Sequence, residues 1–276
     1  MQKETNDSSS AAVRSSDLSF IPAFARSRWD WKGILLFNIM AGLLVISWNY
    51  EPVRVFWDAI DEEVFFILNG LLMSSEKWQL PAAISNTKRY DKISAIILIA
   101  LLGIYAIAEK ENGFTWRLSA VIFLGLYMLI FVYGRRKLGL FEFDRASPSM
   151  VLEPFYDLRE AFPHKKPKVK AHSSFPSDHG AAVLVYGMMF WVIARKPWKI
   201  AIVAIMPFFI FPRMIGGAHW FTDVFVGSLC FALVVASLAL HTPIFARSTC
   251  AIERMIARLL KHTEKYLPPR FHRAQG

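Results

Sequence analysis

Six apolar runs, each near the length of a membrane-crossing helix, are the feature that most limits what this chain can fold into. They cover residues 33–49, 92–108, 115–133, 180–194, 199–216 and 221–240. Near-uncharged runs of about 17 to 25 residues are typical of transmembrane helices. Several runs contain Gly or Pro, which is tolerated where neighbouring helices cover the freed backbone groups. We therefore predict an all-α, polytopic membrane protein with six transmembrane helices.

The segments outside the runs divide the 276 residues into three parts. Residues 1–31 are polar and Ser-rich and lack the apolar core of a signal peptide, which predicts a disordered cytoplasmic tail. Residues 32–241 form the six-span domain. Residues 242–276 form a basic tail whose apolar residues fall on one side, which predicts an amphipathic cytoplasmic helix on anionic inner-leaflet lipid. Pairing of this helix with another helix is the alternative.

The distribution of basic residues predicts the orientation. Arg26, Arg28 and Lys32 precede the first run, and acidic residues between Glu51 and Glu63 follow it. The positive-inside rule therefore places the N-terminus in the cytoplasm of a cell inner (plasma) membrane protein, and six spans return the C-terminus to the same side. Residues 52–75 have an apolar half of only about ten residues, which favours an interfacial or re-entrant helix over a crossing.

The charge distribution and the cysteine content indicate neither a nucleic-acid partner nor a cysteine-based site. The formal charge of +10 lies mainly at span ends and in the tails, without the motifs of nucleic-acid recognition, so no nucleic-acid partner is expected. Cys230 and Cys250 are far apart along the chain and indicate neither a disulfide nor a metal site. Nothing in the sequence indicates an oligomeric state.

One loop departs from the positive-inside pattern. Residues 134–176 are predicted to lie outside, yet they contain nine basic residues: Arg135, Arg136, Lys137, Arg145, Arg159, Lys165, Lys166, Lys168 and Lys170. Short external loops normally avoid such charge. A hydrated inert loop, an error in the topology and an anion-binding site would each explain the charge, and the charge alone leaves all three open.

The stretch FPSDHG, residues 175–180, stands at the start of the fourth run. Ser177 or Asp178 can act as the N-cap of a helix that begins near Gly180. A helix N-terminus presents unpaired backbone N–H groups and the positive end of its dipole, which suits a phosphate. His179 can protonate a leaving oxygen near neutral pH. A purely structural cap with an incidental His explains this stretch equally well.

The stretch FPRMIGGAHWFTDVFVG, residues 211–227, joins the fifth and sixth runs. His219 and Asp223 stand four residues apart, which places them on one helical face within contact range. A carboxylate bonded to one imidazole nitrogen leaves the other free as a nucleophile or base. Arg213 can bind two phosphate oxygens at once. Ionisable residues at a membrane edge indicate function, and both stretches lie at the same predicted external face.

These motifs resemble those of the type 2 phosphatidic acid phosphatase superfamily, which comprises membrane lipid phosphatases, bacterial acid phosphatases and vanadium haloperoxidases. The third family motif, Ser-Arg, five residues, His, three residues, Asp, is similar to Pro212-Arg213, MIGGA, His219, WFT, Asp223. The second, Pro-Ser-Gly-His, is similar to residues 176–179, where Asp178 replaces Gly as in the undecaprenyl pyrophosphate phosphatase branch. The resemblance covers about residues 55–240.

The first family motif, Lys, six residues, Arg-Pro, departs further. Lys137 is followed by seven residues and then Arg145, and Pro148 comes three residues later. Arg145 is taken as the match, and Arg136 is the alternative to Lys137. The resemblance thus identifies residues 32–241 as a six-span lipid phosphatase domain whose loop 134–176 carries the first motif.

The resemblance implies phosphoryl transfer in two steps. His219 is the implied nucleophile, Asp223 its orienting partner, and His179 the group that protonates the leaving oxygen and then activates water. The implied phosphate-binding groups are Arg145, Arg213, Lys137, Ser177 and the backbone N–H groups of Asp178 and Gly180. No metal or cofactor is expected, since these cations and donors would supply the charge neutralisation.

A pocket at the external face favours a membrane lipid substrate whose phosphate reaches the surface. Undecaprenyl pyrophosphate is the leading expectation, and lipid A phosphate, phosphatidylglycerophosphate or phosphate transfer to a second lipid are alternatives. A transporter would need ionisable residues at mid-membrane. A lipid-binding protein without catalysis would not need the His219–Asp223 pair.

Overall fold

The computed structural model describes residues 28–110, 113–139 and 143–264, and no β-strand occurs in them. The described helices are α1 (Trp31–Asn49), α2 (Glu51–Ser74), α3 (Glu76–Ser85), α4 (Lys88–Ala108), α5 (Phe114–Met128), α6 (Gly134–Leu138), α7 (Leu158–Ala161), α8 (Asp178–Ile193), α9 (Lys196–Ile215), α10 (Leu229–Leu240) and α11 (Ile244–Glu264). A π-helical turn, Leu129–Tyr133, continues α5, and another, Asp223–Ser228, leads into α10. The predicted all-α fold is confirmed.

Five of the described helical segments are long and apolar enough to cross a membrane, which makes the chain a multi-pass membrane protein. They are Trp31–Asn49, Lys88–Ala108, Phe114–Tyr133, Lys196–Ile215 and Asp223–Leu240. The remaining predicted span corresponds to α8, which has 16 residues. At 1.5 Å per residue it is about 24 Å long, less than the ~30 Å hydrocarbon core. A count of six crossings stays a prediction.

The centre of the bundle is formed by α8 and α10. The Asp223–Leu240 segment is 78% buried inside the protein, whereas Trp31–Asn49 is 17% buried and so leaves most of its surface for lipid. Buried tyrosine hydroxyls connect neighbouring helices at this centre: Tyr105 donates to the Ile193 carbonyl at 2.8 Å and Tyr186 to the Leu98 carbonyl at 3.0 Å. Apolar packing and satisfied polar groups thus fix the helices that carry the site.

The two ends of the bundle differ in chemistry. At one end the start of α1 meets the end of α10, where the Asp30 N–H donates to the His241 carbonyl at 2.8 Å. His179, Arg213, His219 and Asp223 lie near the opposite ends of α8, α9 and α10. The helix directions therefore bring both predicted motifs to one end of the bundle.

Residues 143–176 form an ordered cover over that end. The Phe143 N–H donates to the Phe175 carbonyl at 3.0 Å, and the Ser174 N–H donates to the Arg145 carbonyl at 2.8 Å. Val169 is fully buried, and the Lys168 N–H donates to the Asn86 carbonyl at 2.8 Å. Such pairing does not fit a freely hydrated inert loop, because its backbone groups bond within the protein.

The predicted interfacial segment is a continuous helix of 24 residues, α2, which starts with Pro52 in its first turn. Asp61 and Asn69 on this helix are buried, and Asn69 donates to the Ile215 carbonyl at 3.1 Å and accepts from the Tyr156 N–H at 2.9 Å. This helix therefore packs on the end of the bundle that carries the motifs. Its interfacial position in the membrane stays a prediction.

The C-terminal helix α11 packs on the bundle at its start and leaves apolar side chains exposed further along. Phe245 is buried and its ring lies 5.2 Å from the ring of Phe123 on α5, so the first turns pair with another helix. Further along, Met255 and Leu259 are exposed. Residues 1–27, most of the predicted N-terminal tail, and residues 265–276, the last third of the predicted C-terminal tail, lie outside the described residues. A membrane-surface role for α11 stays a prediction.

Candidate active site

A cavity of about 430 Å³ opens at the motif-bearing end of the bundle. It draws residues from α4, the cover, α8, α9 and the segment before α10. Its lining is Asp91, Lys168, Ala171, Ser173, Phe175, Pro176, Asp178, His179, Ala182, Arg213 and His219. The structure thus brings the two predicted histidines and Arg213 to one concave surface.

The orientation of His219 follows from one main-chain contact. Its Nδ1 lies 2.8 Å from the Ser174 carbonyl oxygen. A carbonyl oxygen can only accept, so Nδ1 carries the hydrogen and Nε2 is left with its lone pair. The turn before His219 depends on Gly217, whose φ of +73° is one that other residues rarely adopt. The contact with Ser174 thus favours the tautomer with a free Nε2, and the role of His219 as nucleophile stays a prediction.

Asp223 lies beside His219, but its hydrogen bonds go elsewhere. Its Oδ2 is 3.4 Å from His219 Nδ1 and accepts a hydrogen bond from the Trp220 N–H at 2.9 Å. Its Oδ1 accepts from Arg145 at 3.1 Å. The predicted contact range is therefore found, but the predicted shared helical face is wrong, because His219 lies in the bend before the helix that carries Asp223. The bond that sets the tautomer comes from the Ser174 carbonyl. Sequence reasoning missed Ser174, because a main-chain acceptor has no residue-type signature.

Ser177 caps α8 as predicted. Its hydroxyl accepts from the Gly180 N–H at 3.2 Å, and the residue is almost fully buried. This bond occupies the Gly180 N–H, so a phosphate could use that donor only by displacing the cap. Phosphate binding by Ser177 and by the backbone of Asp178 and Gly180 stays a prediction.

Arg213 and His179 share an acidic neighbour that the sequence did not single out. Arg213 contacts the Asp91 carboxylate and donates to the Asn86 carbonyl at 3.3 Å. The Asp91 carboxylate also lies 3.9 Å from His179 Nδ1. Asp91 stands in the first turn of α4, where an acidic residue is expected for helix stability alone, so its sequence position carried no signal of a site.

Asp178, which lines the cavity, forms a salt bridge with Arg135. The Arg135 side chain is 1% exposed and that of Asp178 is 45% exposed. The Arg135 guanidinium carbon also lies 5.5 Å from the centre of the Phe231 ring. The negative charge of Asp178 is therefore offset by a base from α6.

The first-motif residues lie outside the cavity lining. Arg145 donates to Thr222 Oγ1 at 2.8 Å and to Asp61 at 2.7 Å, in addition to Asp223. Lys137 is exposed, with its ammonium 5.6 Å from the Tyr133 ring centre. The alternative, Arg136, has a side chain outside those described. Phosphate binding by Arg145 and Lys137 stays a prediction, whereas Lys168 from the cover does line the cavity.

The helical bundle and the His219-containing cavity define the class of protein. Residues 120–247 match the PAP2 superfamily, and the chain belongs to this family, whose members include phosphatases and phosphotransferases acting on lipids. The resemblance predicted from the motifs is therefore confirmed.

Similarity to one curated relative extends over most of both chains. The chain is 30% identical over 231 residues to the lipid A 1-diphosphate synthase of Escherichia coli strain K12, which covers 83% of this chain and 95% of that protein. No solved structure shows a significant match.

Proposed function

We propose that this chain is a lipid phosphotransferase that takes a phosphate from a lipid pyrophosphate onto His219 and passes it to lipid A 1-phosphate. The alternative expected from the sequence, a lipid A phosphotransferase, is favoured by the name of the relative, which forms lipid A 1-diphosphate. The leading expectation, undecaprenyl pyrophosphate, is kept as the donor. Hydrolysis of that lipid, with water as the acceptor, is the alternative function for the same site.

The observation that carries the proposal is the state of His219. Its Nδ1 is committed to the Ser174 carbonyl at 2.8 Å, and the ring lines the cavity together with Arg213 and His179. A nucleophile with a fixed tautomer beside a cation and a proton donor is the arrangement that a phosphoenzyme requires.

The proposed reaction conserves the number of phosphoanhydride bonds. In the first step His219 Nε2 bonds to the terminal phosphorus, the phosphoanhydride P–O bond breaks, and a lipid monophosphate leaves with a proton from His179. In the second step a phosphate oxygen of lipid A 1-phosphate attacks, the P–N bond breaks, and His179 recovers a proton from the acceptor. Arg213 and Lys168 neutralise the phosphoryl oxygens throughout.

The chemistry of the product supports a pyrophosphate donor. Lipid A 1-diphosphate contains a phosphoanhydride bond, so a donor that gives up the same kind of bond makes the exchange nearly balanced. A simple phosphate ester, such as the terminal phosphate of phosphatidylglycerophosphate, would have to drive the formation of a higher-energy bond. Undecaprenyl pyrophosphate therefore fits the donor role better than the other lipids considered.

A transfer assay with purified protein in detergent tests the proposal. Undecaprenyl pyrophosphate labelled in its terminal phosphate is mixed with lipid A 1-phosphate, and the label is followed by chromatography. We expect labelled lipid A 1-diphosphate with the parent protein and none with His219→Ala. Release of the label only as inorganic phosphate would show that the protein is a hydrolase and not a transferase. Full transfer by His219→Ala would rule out the proposed nucleophile.

The proposed transfer requires no metal ion. Arg213 and Lys168 supply the positive charge at the cavity that a divalent cation supplies in other phosphotransferases. We expect the transfer rate to be unchanged after treatment with excess EDTA and gel filtration. A loss that added Mg²⁺ restores would overturn this part of the proposal.

The site is further proposed to open on the external face, with both termini in the cytoplasm. Cys250 on α11 is exposed near the opposite end of the bundle, so its labelling by a thiol reagent reports which side of the membrane it is on. Cys230 is buried and should not react. In intact cells a membrane-impermeant maleimide should label an exposed Lys170→Cys in the cover, while Cys250 should be labelled only after lysis. Labelling of Cys250 but not of Lys170→Cys in intact cells would show that the opposite topology is correct.

A further inference from the structure

Arg145 lies between two fully buried carboxylates from different parts of the chain. Its Nη2 is 2.7 Å from Asp61 on α2, and its Nη1 is 3.1 Å from Asp223. The side chains of Asp61 and Asp223 are both 0% exposed, and that of Arg145 is 12% exposed. A guanidinium with this much of its surface removed from water has its position set by the groups around it.

The Asp61 carboxylate accepts three hydrogen bonds from Thr222 and Arg145. Its Oδ1 accepts from the Thr222 N–H at 2.8 Å. Its Oδ2 accepts from the Thr222 hydroxyl at 2.6 Å and from Arg145 at 2.7 Å. Burial raises the pKa of the Asp61 carboxyl, and the three donors act against that rise because they favour its ionised form. The Asp61 carboxylate is thereby tied to Arg145 and Thr222, and Arg145 in turn contacts Asp223.

The ring of Trp220 adds a second constraint on the same guanidinium. The Arg145 guanidinium carbon lies 4.5 Å from the centre of that ring, and the Trp220 indole N–H donates to the Ala146 carbonyl at 2.8 Å. Trp220 stands between His219 and Asp223, and its backbone N–H donates to Asp223. Movement of Arg145 would therefore displace both Trp220, the residue after His219, and Asp223.

We propose that Asp61 is a positioning residue for phosphoryl transfer, which fixes Arg145 and Thr222 and thereby holds the Asp223 carboxylate 3.4 Å from His219 Nδ1. This inference rests on the proposed function, since it assigns Asp61 a role in the chemistry at His219. Neither Asp61 nor Arg145 lines the cavity. Loss of Asp61 should therefore lower kcat and leave KM nearly unchanged.

The first test replaces Asp61 with Asn, which keeps the shape and removes the charge and one acceptor. We expect kcat for phosphate transfer to fall about tenfold or more, as misplacement near reacting groups does, with KM changed less than about twofold. Asp58→Asn is the matched control: it lies on the same helix, 3.5 Å from Arg145, but its side chain is 47% exposed. It should retain nearly the parent kcat.

A double-mutant cycle separates positioning from general stability. Arg145→Gln alone leaves Asp61 buried without its cation and should lower the Tm sharply. Adding Asp61→Asn to that variant removes the uncompensated charge, so the double variant should have a higher Tm than Arg145→Gln. It should also have a kcat no lower than that of Arg145→Gln, because Asp61 acts largely through Arg145.

The outcomes distinguish this inference from the function on which it rests. If His219→Ala is inactive while Asp61→Asn keeps the parent kcat, the positioning role is wrong and the proposed function stands. If His219→Ala is active, the proposed function is wrong. A kcat loss in Asp61→Asn that matches only its loss of folded protein, or an equal loss in Asp58→Asn, would also overturn the positioning role.

A milder variant keeps the inference testable if Asp61→Asn does not fold. Thr222→Val removes the hydroxyl that donates to Asp61 and accepts from Arg145, while the Thr222 N–H bond to Asp61 remains. We expect kcat to fall about threefold to tenfold at constant KM. An unchanged kcat in a folded Thr222→Val protein would contradict the proposed link.

Discussion

Replacing Gly180 with Ala should disturb the site without altering any group proposed to react. A Cβ at this position would lie 2.8 Å from Ser228 Oγ, 3.2 Å from Ser228 Cβ and 3.3 Å from Val224 Cγ1. The Ser228 hydroxyl donates to the Ser177 carbonyl at 2.8 Å and lies 3.0 Å from the Asp223 carbonyl. It cannot rotate away without losing these contacts, so the start of α8 has to shift.

The magnitude follows from two opposing terms. Overpacking of a well-packed contact costs about 1–3 kcal/mol, whereas Gly→Ala within a helix gains about 1 kcal/mol. We therefore expect a net loss of up to about 2 kcal/mol in the free energy of unfolding, from the same two terms. Because His179 is the adjacent residue, a shift of a few tenths of an ångström should also lower kcat by about tenfold.

The assay compares Tm and kcat of the purified variants in detergent. Gly103→Ala in the middle of α4 is the control, because a Cβ there has no neighbour within 4 Å. Gly180→Ala combined with Ser228→Ala should recover part of the lost activity, since the closest clash is removed. A Gly180→Ala protein with the Tm and kcat of the parent would refute the proposed close packing of α8 on the segment before α10.

Three further changes probe the surroundings of the cavity. Arg213→Lys should raise KM about tenfold, measured in the transfer assay, because an ammonium cannot bind two phosphate oxygens as a fork. Asp178→Asn should lower the free energy of unfolding by about 1–2 kcal/mol in detergent, less than for a fully buried pair because Asp178 is 45% exposed beside Arg135. Burial acts to raise the pKa of Asp157, but the hydrogen bonds from Arg159 and the positive charges of Arg159 and Lys170 together outweigh it and lower that pKa below its usual 3.8. The stabilisation is thus present at neutral pH and lost on acidification, so the Tm difference caused by Asp157→Ala should shrink as the pH falls through and below 3.8.

The apolar runs and the two motifs predicted the parts of the fold that depend on local sequence. Run length identified the helices, and the spacing of His219 and Asp223 placed them in contact range, at 3.4 Å. Ser177 was predicted as a cap and forms one. These features depend on residues close together in the chain. His219 itself lies in the bend before the helix that carries Asp223, so the short separation along the chain, and not a shared helical face, brings the two together.

Long-range partners could not be predicted in the same way. Asp61 meets Thr222 across 161 positions, and Arg135 meets Asp178 across 43. Their pairing depends on how α2 and α6 pack on the bundle, which no local pattern encodes. The Ser174 carbonyl was hidden for another reason, since every residue carries such a group and only the tertiary fold selects one.

The central claim is that His219 carries the phosphate between donor and acceptor. The most direct measurement mixes the protein with donor lipid labelled in its terminal phosphate, omits the acceptor, quenches in alkali to preserve phosphohistidine, and maps the label by mass spectrometry of peptides. We predict label on His219, its loss when lipid A 1-phosphate is added, and no label in His219→Ala. Label on another residue, or lipid-to-lipid transfer that proceeds at full rate without labelled His219, would contradict the account.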